Sequence, residues 1–406
     1  MYDILAGMRV VEVSMWAFVP AAGAVLAEWG AEVIKVVHPD YGDPMRGAPV
    51  GDLPRDQTDV DVAFMWEILN RGKRSIGINL STPESRPVFE ELVKSADVFL
   101  TNFLPDAREK LRMDIDDIRA INPNIVYSRG TGQGARGPQA GKGGFDHTSF
   151  WARSGIAHAA SMVTGEFIGQ PGAALGDLMS GFSLASGTVG ALLKRERTGE
   201  PSVVDVSLFG TAAFAFSPAI VASELYGVPT IPRRSHADQP NPLVASYETK
   251  DGRLLYISGQ RIDQHWGPFC ERTGHPELAN DERFADGEAR VRNARECIAA
   301  LDAVFAERDL AEWAEILDEI ENPWALVQTA NEAHHDVQAA ANGYIVPVES
   351  QSGSQFTLVH NPVQYNEAPT ALTRAPDHGE QTDEILLELG LSWDQIIELK
   401  TTGAVL

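Results

Sequence analysis

Cysteine is nearly absent from this 406-residue chain, which holds only Cys270 and Cys297. Two thiols cannot build a disulfide framework or a four-thiolate metal site, so a reduced, cytoplasmic protein is expected. Basic charge is also scarce. Lysine and arginine number 33 against 57 aspartates and glutamates, a formal charge of −24. A field of that sign repels nucleic acid phosphates and anionic membranes, so neither is an expected partner. An anionic ligand then needs a local basic patch. Long apolar runs are missing too, because Pro20, Glu28, Glu32 and Lys35 interrupt the most apolar early stretch. No basic segment leads into an apolar one at the start of the sequence, so no secretory leader is expected. His334-His335-Asp336 has the chemistry of metal ligands. Adjacent side chains on a helix diverge, no third ligand accompanies them, and no metal is expected.

What is present is an alternation of strand and helix patterns. Residues 9–13 (Arg-Val-Val-Glu-Val) read as a buried strand, 20–29 as a helix of small and apolar residues ending at Gly30, and 32–37 as a second strand stopped by Pro39. Such a βαβ unit implies parallel strands. Strand patterns recur at 75–80, 98–100, 125–128 and 203–208, with a helix over 83–95. An open, doubly wound α/β sheet is the fold class that follows. A Gly/Ala/Ser/Leu-rich run over 181–194 suits a closely packed helix. Residues 229–242 read as a linker, 254–258 as a strand, and 276–320 as acidic helices of a smaller second domain. A last helix is expected over 382–389, stopped by Gly390.

The βαβ start lacks the G-x-G-x-x-G turn and the acidic residue of a dinucleotide site, and the P-loop pattern is also missing. Nothing supports a G-x-S-x-G nucleophile either. Three other segments draw the eye. Asn70-Arg71-Gly72-Lys73-Arg74 puts three cations into five positions of an acidic chain, which makes either a solvated charge cluster or a polyphosphate site. Asp177, within the run from Gly172 to Gly181, is one carboxylate among glycines and small or apolar residues, either a helix cap or a site residue kept partly from water. Gly141-Lys142-Gly143-Gly144-Phe145-Asp146-His147 is an exposed turn or a close-approach loop in which Asp146 orients something by hydrogen bond.

Taken in order, these segments resemble the class III CoA-transferases (the CaiB–BaiF type), which include formyl-CoA and carnitine CoA-transferases and α-methylacyl-CoA racemase. The resemblance runs through Leu5-Ala6-Gly7, Trp29-Gly30-Ala31-Glu32, Gly42-Asp43-Pro44, Asn70 to Ile76, Ala96 to Phe103, Gly176-Asp177, Arg197 to Leu208 and Ala375 to Glu380. It implies a CoA-transferase that moves CoA from an acyl-CoA thioester to a small carboxylic acid, with coenzyme A as the thioester carrier and no metal. Asp177 is then the nucleophile, forming an aspartyl anhydride and then aspartyl-CoA. The same resemblance implicates Lys35, His38, Leu69, Arg71, Lys73, Arg74, Asn102, Phe103, Ala107, Lys110 and Asp146 in CoA binding. Trp16, Ala17 and Phe18 follow the first strand where the acyl group is expected, and make either an apolar pocket or core packing, with Phe145 a further substrate or loop residue. Backbone N–H groups near Gly176 or in the loop Ser258, Gly259 and Gln260 are expected to stabilise oxyanions. Relatives carry a longer glycine run at that loop and often have arginine where His38 stands. The resemblance also implies a Rossmann-like large domain over 1–225, a linker and small α+β domain over 226–330, and a segment over 331–406 returning to the large domain, assembled as an interlocked homodimer.

Two other readings compete. The racemase branch uses a histidine of a Gly-His-Asp motif as acid–base, and here that place reads Gly144-Phe145-Asp146. Phenylalanine transfers no proton, and His147 and Asp263 carry no assigned proton-transfer role. A non-catalytic acyl-CoA-binding homologue would have no need of Asp177.

Overall fold

The computed structural model describes residues 1–48, 50, 53, 62–162, 164–259, 262–320 and 322–406. Six strands form its largest sheet: β1 (Arg9–Val13), β2 (Glu32–Val37), β3 (Arg74–Gly77), β4 (Val98–Thr101), β5 (Val126–Thr131) and β6 (Val203–Ser207). Every neighbouring pair is parallel, in the order β3-β2-β1-β4-β5-β6. This is the mixed α/β architecture read from the alternating pattern. Alternation along each strand sends successive side chains to opposite faces, so one strand feeds two cores. Val10, Val33, Val98 and Val126 join the core on one face, while Val11, Ile34, Phe99 and Tyr127 join the other.

The first face is covered by α1 (Phe18–Glu28), all of whose residues are buried. After α2 (Phe64–Asn70) come α3 (Arg86–Lys94), α4 (Pro105–Lys110) and α5 (Ile115–Ile121), with α3 and α5 contributing to the second core. Next are α6 (Ile156–Ser161) and α7 (Leu175–Thr198). The run of small residues falls inside α7, and its use is visible at Gly181. A Cβ there would stand 2.6 Å from the Ala21 Cβ and 2.8 Å from the Phe18 carbonyl oxygen, so glycine lets α7 approach the α1 backbone. Two shorter helices, α8 (Leu208–Ala215) and α9 (Ser217–Tyr226), follow. Helices Thr382–Glu388 and Trp393–Thr401 add Ile385, Leu386 and Ile396 to the second core. Residues 404–406 lie along the outer edge of β3, with Ala404 O accepting from Asn79 N–H at 2.9 Å and Leu406 N–H donating to Gly77 O at 3.2 Å.

The chain divides into two compact units. One comprises Met1–Ser161, Glu166–Thr230 and Val337–Leu406, and the other Met162–Gly165 and Ile231–Asp336. The smaller unit has an antiparallel sheet of β7 (Val244–Glu248), β8 (Leu254–Ser258) and β9 (Trp324–Leu326), packed on an aromatic core that includes Trp266, Phe269, Phe305 and Trp313. Cys270 and Cys297 are buried in that core as free thiols. The hairpin β10 (Ile345–Glu349) and β11 (Gln355–Val359) belongs to the larger unit. Among the described residues no single helix is long and apolar enough to cross a membrane.

Candidate active site

In an open parallel sheet the two connections that leave neighbouring strands in opposite directions open a crevice at the carboxyl ends. Here the order reverses between β1 and β4. A cavity of about 370 Å³ lies there, lined by Met15 to Phe18 after β1, Asn102 to Leu104 after β4, Gly130 to Gly132 around the end of β5, Lys142 to Phe145, Asp177 and Leu208. Asn102 ties the two sides together. Its amide donates to Met15 O at 2.6 Å and accepts from Met15 N–H at 3.1 Å.

Asp177 stands in the first turn of α7. The cap position is Ala174, at φ +59° with no side-chain acceptor. A distant carboxylate takes over that duty: Asp146 Oδ1 accepts the Gly176 N–H at 3.0 Å, and Oδ2 accepts from Gln170 Nε2 at 2.6 Å. Gly176 is needed here because a Cβ would collide with the Asp146 carboxylate and the Phe150 ring. Burial, and then the neighbouring Asp146 charge, push the Asp177 carboxyl up to about 7. Burial also raises Asp146, against the hydrogen bonds from Gln170 and Gly176.

Across the cavity, α1 starts without a cap, since Ala17 offers no side-chain acceptor. Of its first turn, Pro20 has no N–H and the Ala21 N–H donates to Ala17 O at 2.9 Å, so the donors that can meet an anionic oxygen are the Phe18 and Val19 N–H groups. Trp16, just before it, has φ +68°. Its N–H donates to Asp43 Oδ1 at 3.1 Å, while Asp43 Oδ2 pairs with Lys35 Nζ at 3.0 Å. The Trp16 and Phe145 rings meet edge to face, centroids 5.7 Å apart.

A second cavity of about 140 Å³ adjoins the first, for both are lined by Met15 and Phe103. Its other walls include His38 and Tyr41 after β2 and Ile78 to Ser81 after β3. The His38 and Tyr41 rings stack at 3.7 Å. Together the two hollows suit an elongated ligand with one end at Asp177.

The CoA-transferase family III profile matches residues 5–382. The chain belongs to CoA-transferase family III. It is 31% identical to (R)-2-hydroxy-4-methylpentanoate CoA-transferase of Clostridioides difficile, over 99% of both chains. To succinate–glutarate CoA-transferase of Agrobacterium fabrum it is 32% identical, over 95% of both. A crystal structure of a CaiB/BaiF family protein from Brucella suis superimposes with a TM-score of 0.82 at 28% identity, covering 96% of this chain and 100% of that one. The protein is a CoA-transferase, a reading that the absence of a proton-transferring side chain at Phe145 already favoured over racemisation.

The transferase brings Trp16, Ala17, Phe18, Asn102, Phe103, Ala107, Phe145 and Asp177 around one cavity, with Asp146 behind Asp177 and His38 in the adjoining one. The basic run is placed otherwise. Arg71 and Lys73 precede β3 and Arg74 opens it, with Lys73 Nζ donating to Pro20 O of α1 at 2.8 Å. All are engaged: Arg71 Nε with Glu28 at 2.9 Å, Lys73 Nζ with Glu12 at 2.7 Å, and Arg74 with Glu384 and Glu388 at 2.9 and 2.8 Å. Lys35 is fully buried between Glu12 and Asp43, each at 3.0 Å. Expected to meet phosphates, these four cations instead pair with the chain's own carboxylates, buried ones for Lys35, Arg71 and Lys73 and surface ones for Arg74. Leu69 is core, packed with Ala17 and Ala21. Lys110 is exposed at the end of α4.

The expected oxyanion loop is corrected as well. Ser258 and Gly259 N–H groups are taken by Pro323 O at 2.8 Å and Leu243 O at 2.6 Å, inside the smaller unit. Gln260 lies outside the described residues. Asp263 pairs with Arg290, and His147 is exposed. Among the described residues no cluster of three His, Cys, Asp or Glu stands ready for a metal. Sequence reasoning gave no site role to Ile78 to Ser81 or to Gln170. The first group was findable, since ligands collect just beyond the carboxyl ends of parallel strands.

Proposed function

We propose that this transferase moves CoA from an acyl-CoA to a small carboxylic acid by covalent catalysis on Asp177. The observation that carries the reading is a partly buried carboxylate with raised basicity, lining the same cavity as the uncapped amino end of α1. The Asp177 carboxylate attacks the thioester carbonyl carbon. The C–S bond breaks, giving an acyl–aspartyl anhydride and CoA thiolate. The thiolate attacks the aspartyl carbonyl and releases the first acid as its carboxylate, leaving aspartyl-CoA. The incoming carboxylate attacks that thioester and expels thiolate. The thiolate then attacks the incoming acyl carbonyl of the mixed anhydride and frees Asp177. Each tetrahedral oxygen gains charge beside the α1 amino end. No step changes oxidation state.

The nucleotide end is assigned to the smaller cavity at His38 and Ile78 to Ser81, with exposed Lys110 on the neighbouring α4 to meet phosphate and Phe103 beside the pantetheine arm. Lys35, Arg71, Lys73 and Arg74 are assigned to holding the strands and α1, acting on CoA only through the frame. We assign a homodimer as the working assembly, on account of the exposed apolar side chains of α8 and α9. Relatives' names include both a branched hydroxy acid and dicarboxylates, so the acceptor is first defined as a small carboxylic acid.

The test is chemical trapping. Incubation with acyl-CoA and hydroxylamine should leave a hydroxamate on Asp177, detected by peptide mass spectrometry. Asp177→Ala should lower transfer about 10³-fold or more while CoA affinity changes little. A fully active Asp177→Ala protein would refute the covalent route.

A further inference from the structure

The acyl end of the cavity has a wall of unusual construction. Trp16 is a bulky residue held at φ +68°, a conformation that disfavours any side chain and persists only where the surroundings impose it. Those surroundings are buried: Asp43 grips the Trp16 N–H, Lys35 grips Asp43, and Glu12 grips Lys35. The ring so fixed is nevertheless 37% exposed, and its partner Phe145 is 59% exposed. An edge-to-face pair left open to solvent beside a nucleophile presents ring faces to whatever enters. Ala17, Phe18 and Leu208 extend the same apolar lining.

Charge points the same way. Among the described residues lining the cavity, two are cations. Arg108 is committed, donating to Asp114 at 3.1 Å and to Phe103 O at 2.7 Å. Lys142 is exposed on the glycine-bearing loop, where its ammonium stays hydrated. A second carboxylate on the acyl chain would be drawn from water into this lining beside Asp146 and Asp177, where the one buried cation among the described lining residues, Arg108, is already paired with Asp114.

We propose that Trp16 and Phe145 form an aromatic clamp that selects apolar monocarboxylic acyl groups, branched or aryl-bearing, over dicarboxylic ones. This rests on the transfer reaction at Asp177. The fixed Trp16 ring sets one side of the acyl channel, and Phe145, on its loop, closes against the substituent.

The experiment measures exchange between each acyl-CoA and its own ¹³C-labelled acid, so no acceptor need be known. The probes are 4-methylpentanoyl-, 3-phenylpropanoyl-, succinyl- and acetyl-CoA. Wild type should exchange the two apolar groups with kcat/KM about tenfold or more above succinyl. Trp16→Gly removes the ring while accepting the positive φ, and Phe145→Ala alters an exposed loop position. Each should lower the 4-methylpentanoyl-to-acetyl ratio about tenfold, and Phe145→Tyr should restore it. Exchange with succinyl favoured, or with the ratio unchanged in both variants, overturns the clamp and leaves transfer at Asp177 standing. No exchange of any probe removes both.

Discussion

At the scale of single residues, the decisive relation is between two carboxylates. Asp146 holds the start of α7 by its hydrogen bond to Gly176 and at the same time raises the proton affinity of Asp177. A nucleophilic carboxylate is active when ionised, so kcat/KM should rise with pH through a limb near 7. Asp146→Asn keeps an acceptor for the Gly176 N–H and removes the like charge. The limb should then move to lower pH, read from a pH–rate profile, and an unmoved limb would exclude the coupling. Stability gives a second measure. Asp177 titrates higher in the fold than its ordinary 3.8, so its ionisation costs nothing below that value and its full amount above about 7. Folding stability should therefore fall across this window. Asp177→Asn removes the cost, and after discounting for partial exposure the gain at about pH 8 should be ~2 kcal/mol, vanishing near pH 4 in urea melts.

At the scale of elements, α1 carries the site's amino end and α7 carries its nucleophile, and Gly181 sets their separation. Gly181→Val should push them apart, costing ~1–3 kcal/mol in a denaturant melt. It should also depress kcat more than CoA affinity, because the two halves of the reacting centre shift relative to each other. Much of this frame was legible in the sequence. The β-branched runs at 9–13 and 32–37 became β1 and β2, and the small-residue run became the interior of α7. The pattern over 75–80 was half right. β3 ends at Gly77, and Ile78 to Ser81 turn out into the smaller cavity. Hydropathy cannot separate these, since a strand and a ligand wall both favour Ile and Leu. The basic run misled for a different reason: a composition anomaly says nothing about which end of a strand it sits on. Its carboxylate partners, Glu12, Glu28, Glu384 and Glu388, are spread from the first strand to the final helices. Asp146 was readable as an orienting group, but what it orients lies 30 positions away.

At the scale of the whole molecule, the 24 excess negative charges leave few cations for an anionic cofactor, and the fold spends several of those on internal pairs. Binding of the CoA phosphates should therefore depend on ionic strength through few contacts, Lys110 among them. Lys110→Ala should weaken CoA binding and flatten its salt dependence in calorimetric titrations, with kcat little changed. Phe214, Leu225 and Tyr226 are 83%, 74% and 78% exposed on α8 and α9. Patches of this kind usually mark contact surfaces. Light scattering should give twice the 44.1 kDa of one chain, and Leu225→Lys with Tyr226→Glu should shift it toward one.

The short tail at 404–406 that lies along β3 has a bearing on biogenesis. β3 emerges from the ribosome early, while its cover is translated near the end of the chain. Until then an open row of backbone donors and acceptors faces outward, a template for unwanted pairing between nascent copies. Gln381 and Thr382 meet Ser75 and the Gly77 N–H on the same edge, so removing 404–406 should bare Gly77 O and Asn79 N–H and raise the share of the chain recovered in the insoluble fraction.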